Sequence, residues 1–72
     1  MANQQKRVLT RREHQVFHLL AQGYVTADIA SALGITEKTV RNHISNVMLK
    51  IGAKDRTQAL VYLVKTAELD IG

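Results

Sequence analysis

The chain has 72 residues, enough for one small domain and too few for a core that also encloses a deep catalytic pocket. It has no Pro and no Cys, which favours helix over sheet, excludes disulfides and thiolate zinc sites, and suits a cytoplasmic protein. Net charge is +4 with a pI near 9.9, and no apolar run is long enough for a signal peptide or a membrane span.

Residues 1–8 read as a polar, flexible lead-in, and residues 9–72 as the domain. "LTRREHQVFHLLAQG" is the first helix. Thr10 caps it, Glu13 completes a capping box three residues on, and Leu9 precedes the cap as a staple. Val16, Phe17 and Leu20, with Leu19 beside them, recur at helical spacing, and Gly23 ends the helix. "TADIASALG" is a second helix of about two turns. Thr26 is its expected cap, Ile29, Ala30 and Leu33 its inner face, and Gly34 its stop. A third helix runs from 37 to about 51, capped by Thr36 and stopped by Gly52. The fourth, capped by Asp55, runs from 56 to about 67. On it Leu60, Leu63, Val64 and Ala67 are expected to face the body, and Val61 and Tyr62, with Gln58, Lys65 and Leu69, to face outward. The fold class is therefore all-α, with four helices.

The basic charge is concentrated. Lys38, Arg41, Lys50, Lys54 and Arg56 share one window with a single acid, Asp55, and the excess there equals that of the whole chain. This is the footprint expected of a polyanion binder. In the same region "LGIT" joins two short helices as a helix-turn-helix candidate. Such a motif needs a small residue where the helices cross, a Gly in the turn and an apolar anchor on the second helix. Ala30, Gly34 and Val40 meet these needs.

At 100° per residue, Val40, Ile44, Val47 and Ile51 form one apolar stripe of the third helix. Lys38, Asn42, Ser45 and Asn46 fall opposite, with Arg41, Thr39, His43 and Lys50 on the flanks. An ordinary solvated face is rich in Glu and Lys. This one has a single acid, Glu37, and otherwise carries donors of several lengths, as a helix lying in a DNA major groove requires.

These segments together resemble the LuxR/FixJ-type DNA-binding domain over about residues 9–69. The markers are LTxRE at 9–13, "LLAQG", "DIASALGI", "TEKTVRNHISN" and "KIGAKDRTQA". The short chain is similar in layout to the single-domain sporulation regulators of that family. The resemblance implies a four-helix LuxR-type helix-turn-helix fold, binding to double-stranded DNA, transcriptional control at promoters and dimerisation through the last helix. It implies base contacts from Lys38, Arg41, Asn42 and Ser45. Arg41 suits guanine and Asn42 adenine, with a phosphate contact as the other reading of Arg41. Phosphate contacts are implied for Thr26, Thr36, Thr39, Asn46, Lys50, Arg56 and Thr57. Val61, Tyr62, Lys65 and Leu69 are expected at the dimer interface, and RNA polymerase is a further partner where the protein activates.

His43 reads as a packed histidine beside the core. Glu13 reads as structural, with Arg56 as a candidate partner. His14 and His18, four apart, read as an exposed pair rather than a metal site. No cofactor or metal is expected. There is no Gly-rich phosphate loop, and Asp28 and Glu37 have no reason to act as a catalytic pair, so an enzyme is not expected. Two rivals stand beside a sporulation regulator: an excised C-terminal domain of a larger response regulator, and a helical protein-interaction module that uses the fourth helix.

Overall fold

Thr10 shows why the first helix starts where it does. Its hydroxyl accepts from the Glu13 N–H while its own N–H donates to the Glu13 carboxylate, so the capping box is closed in both directions. This computed structural model describes residues 8–69, so the expected lead-in lies, apart from Val8, outside the described residues. Four helices follow in order: α1 Arg11–Ala21, α2 Thr26–Leu33, α3 Glu37–Ile51 and α4 Arg56–Lys65. No strand occurs among the described residues.

The turn between α2 and α3 is built as its sequence suggests. Gly34 has φ +69°, in the left-handed region that side chains disfavour, and the Ile35 N–H donates back to the Ala30 carbonyl at 3.0 Å. Thr36 then caps α3 by accepting from the Thr39 N–H, and Gly52, also left-handed, ends it. Asp55 caps α4 through the Gln58 N–H, and the Gln58 side chain accepts in return from the Lys54 N–H. Thr26 is not the cap of α2. Val25 holds that position, without a side-chain bond, and Thr26 is the first helical residue. Its hydroxyl donates instead across the motif to Glu37 at 2.7 Å.

One apolar cluster holds the helices together: Leu9, Val16, Phe17, Ile29, Ala30, Val40, Ile44, Val47, Ala59, Leu63 and Leu69. Phe17 at its centre is wholly buried. Val8, assigned to the lead-in from sequence, packs against this cluster, and its carbonyl accepts from Lys50.

The end of the chain departs from expectation. α4 stops at Lys65, two residues early, and Ala67 takes the left-handed conformation at φ +63°. The Glu68 and Leu69 N–H groups both donate to the Leu63 carbonyl, at 2.8 and 3.2 Å. This reversal turns Leu69 inward, leaving it 3% exposed in the core. Leu69 is therefore a core residue and not an outward-facing interface residue, because a helical wheel does not apply beyond the helix end. Val64, expected inside, stays on the surface, and Leu60 is only half-buried. The inner face of α4 is carried by Ala59 and Leu63.

Candidate nucleic-acid interface

The outward face of α3 is built from the residues opposite its core stripe. Lys38, Arg41, Asn42, Ser45 and Asn46 are all exposed, while Val40, Ile44 and Val47 are buried beneath them. The helix is thus anchored by three β-branched side chains that occupy few rotamers, and the polar residues stand on a stiff support. Leu49 is on this face too, 81% exposed. The spacing of Lys38, Asn42, Ser45 and Leu49 made its placement legible in the sequence, although no role was assigned to it.

Around this face, residues from three helices converge. Thr26 at the start of α2, Arg41 and Ser45 on α3, and Arg56 at the start of α4 line one shallow depression floored by Ile44 and Met48. The N-termini of α2 and α4 therefore flank α3, and helix N-termini favour anions through their free N–H groups and dipole. Arg56 and Thr57 are exposed there. Thr36 and Thr39 are joined hydroxyl to hydroxyl at 2.9 Å at the start of α3, with Thr36 exposed and Thr39 half-buried. His43 is half-buried, at the edge of the face.

Two basic members of the expected set are already engaged within the protein. Arg41 pairs with Glu37, one turn earlier, at 3.1 Å, and the same Glu37 oxygen accepts from Thr26. The pairing within α3 is legible as an i, i+4 spacing, whereas the link to Thr26 depends on how the helices cross. Lys50 does not lie free for phosphate. Its ammonium pairs with the Glu13 carboxylate and donates to the Val8 carbonyl at 3.1 Å. The partner of Glu13 is thus Lys50 rather than Arg56. Glu13 is 4% exposed. Burial raises its pKa, and the Lys50 hydrogen bond and charge, with the Thr10 hydrogen bonds, more than offset this and hold it below the ordinary glutamate value.

Further along α4, Val61, Tyr62, Val64 and Lys65 are exposed. Leu60, Val61, Val64 and Lys65 form an apolar groove against Ala21 at the end of α1. His14 and His18 stack with ring centroids 6.3 Å apart, and His14 is hydrogen-bonded to the Glu68 carbonyl. Among the described residues no helix is long and apolar enough to cross a membrane.

The fold and this face define a helix-turn-helix DNA-binding domain. The sequence matches the family described as "GerE: Bacterial regulatory proteins, luxR family" over residues 7–63, and the chain belongs to that family of DNA-binding transcription regulators, which is not an enzyme class. It is similar to Spore germination protein GerE of Bacillus subtilis (strain 168), with 56% identity over 68 residues covering 94% of this chain and 92% of that protein. A solved structure titled "Structure of Transcription factor, GerE" superposes with a TM-score of 0.89 at 46% identity, covering 93% of this chain and all of that one. Transcriptional regulatory protein DegU of Brevibacillus brevis is 50% identical over 58 residues, which are 81% of this chain and 25% of DegU. Response regulator protein VraR of Staphylococcus aureus (strain NCTC 8325 / PS 47) is 49% identical over 55 residues, 76% of this chain and 26% of VraR.

Proposed function

We propose that this regulator binds DNA as a homodimer paired through α4, each subunit laying α3 in one major groove of a roughly palindromic site. The observation that carries this reading is the outward face of α3, where Lys38, Arg41, Asn42 and Ser45 stand exposed beside the N-termini of α2 and α4. Lys38, Arg41, Asn42 and Ser45 read base edges. Thr36, Thr39, Asn46, Arg56 and Thr57, with the Thr26 backbone N–H at the start of α2, hold phosphates and set the register. Val61, Tyr62 and Lys65 meet their symmetry mates across the two-fold axis. Exposed Val61 and Tyr62 support this, since a small monomer gains nothing by leaving such a patch in water.

The protein acts in the cytoplasm, on genes of the sporulation programme, including those for the spore coat, and meets RNA polymerase where it activates. Similarity to Spore germination protein GerE over nearly the whole of both chains supports this assignment. The matches to about a quarter of DegU and of VraR support a second reading, in which the chain is the DNA-binding segment of a longer response regulator. The genomic reading frame separates the two.

Selection of bound sites from a pool of random duplexes tests the main reading. The expected product is an inverted repeat whose half-sites lie about 10 base pairs apart. A pool that never departs from random, or that converges on a single unrepeated site, contradicts the palindromic dimer.

A further inference from the structure

Glu37 is the one acid of α3, one turn before Arg41, and a carboxylate there stands close to an approaching polyanion. Its cost in binding is not offset by stability, because an exposed pair one turn apart on a helix contributes little. The side chains of Glu37 and Arg41 are 43% and 59% exposed. The carboxylate nevertheless has a defined position. One of its oxygens, Oε2, lies 3.1 Å from Arg41 Nη1 as an ion pair and accepts from Thr26 Oγ1 at 2.7 Å, so it is tied to the start of α2 as well as to its own helix.

We propose that Glu37 is a positioning residue that makes Arg41 a reader of bases rather than a partner of phosphate. This deepens the reading of α3 as the recognition helix and rests on it. A guanidinium carries five N–H donors, and the pairing with Glu37 occupies only part of one edge. The remaining donors can still meet the O6 and N7 acceptors of a guanine, an interaction that rests on geometry. Attraction to a phosphate rests on net charge, and pairing with Glu37 largely cancels the charge of Arg41 as seen from the DNA backbone. Glu37 therefore weakens binding to any duplex, and weakens it least where a base presents the matching acceptors. The bond from Thr26 holds the carboxylate at this post when DNA arrives.

The test compares wild type, Glu37→Gln, Arg41→Ala and the double variant on a selected duplex and on a scrambled duplex of equal composition, over a salt series. Thermal melts establish that each variant is folded. Glutamine keeps a side-chain oxygen for Thr26 and removes the charge. Glu37→Gln is expected to tighten binding to the scrambled duplex by roughly fivefold, the scale of one ion pair in water, and to tighten the selected duplex less. The slope of log affinity against log salt on the scrambled duplex should steepen by about 0.9, the value for one added phosphate contact. In the Arg41→Ala background the residual tightening, which is relief of direct repulsion by the Glu37 carboxylate, should be equal on the two duplexes. A wild type that discriminates while Glu37→Gln shifts both duplexes equally, or a difference between the duplexes that persists without Arg41, overturns the role of Glu37 alone. A wild type that binds both duplexes alike overturns the recognition reading of α3 and this role with it.

Discussion

Glu13 and Lys50 show how a residue suited to DNA by charge and position can be committed elsewhere. Glu13 is almost fully buried, and its charge is supported by the Lys50 ammonium and the Thr10 N–H. Its folded-state pKa lies below the ordinary glutamate value of 4.5, so ionised Glu13 adds stability above that pH, and the contribution is lost as pH falls through the lower folded value. Acid titration of the melting temperature should therefore show a fall below about pH 4.5 that is shallower in Glu13→Gln. Equal falls in the two proteins would dissociate Glu13 from acid sensitivity. A second contrast is expected between two basic residues of α3. Arg41→Ala should cost about 1–3 kcal/mol on a selected duplex and relax preference at one position. Lys50→Ala should leave Glu13 without its cation and lower folding stability by roughly 1–3 kcal/mol, the buried-pair range reduced for the partial exposure of Lys50. Urea melts and binding titrations of both variants separate these outcomes.

At the scale of the element, the turn between α2 and α3 depends on one backbone conformation. No atom lies within 4 Å of where a Cβ on Gly34 would stand, so a substitution there meets conformational strain and no steric clash. Gly34→Ala should cost about 1–2 kcal/mol, the penalty of the left-handed region, and Gly34→Val more, because β-branching narrows that region further. Gly34→Asn should be nearest to wild type. If all three melt as wild type does, the turn does not require positive φ. The end of α4 gives the complementary case. Leu69 lies in the core beyond a chain reversal, so Leu69→Ala should destabilise the fold by about 2–5 kcal/mol, as core truncations do. A Leu69→Ala variant that melts normally but no longer dimerises would return this residue to the surface.

For the whole molecule, the two exposed sides make separable contributions. The face of α3 with the flanking N-termini of α2 and α4 carries the proposed DNA binding, and the outer face of α4 the proposed pairing of subunits. Val61→Glu combined with Tyr62→Glu places charge on that outer face and spares the buried Ala59 and Leu63. The double variant should be a folded monomer that still binds duplex DNA through its basic window. It should lose affinity for the full palindrome, because two linked half-site contacts become two independent ones. Sedimentation of both proteins with and without a palindromic duplex is the measurement. A wild type that stays monomeric on the palindrome, or a double variant that still dimerises, would detach α4 from recognition.

Much of this architecture is local in origin and so was legible in the residues. The capping box at Thr10 and Glu13, the caps at Thr36 and Asp55, the left-handed Gly34 and Gly52, and the stripe of Val40, Ile44 and Val47 each depend on neighbours within a few positions. The outward face of α3 follows from that stripe by helical geometry. The tertiary structure alone decided the polar links between helices, since Lys50 reaches Glu13 across 37 positions of sequence and Thr26 reaches Glu37 across 11. It also decided the fate of Leu69, because periodicity cannot foresee where a helix stops when neither Gly nor Pro marks the end. Contacts distant in sequence depend on how helices cross, and that is set by the packing of the whole core around Phe17, not by any single segment.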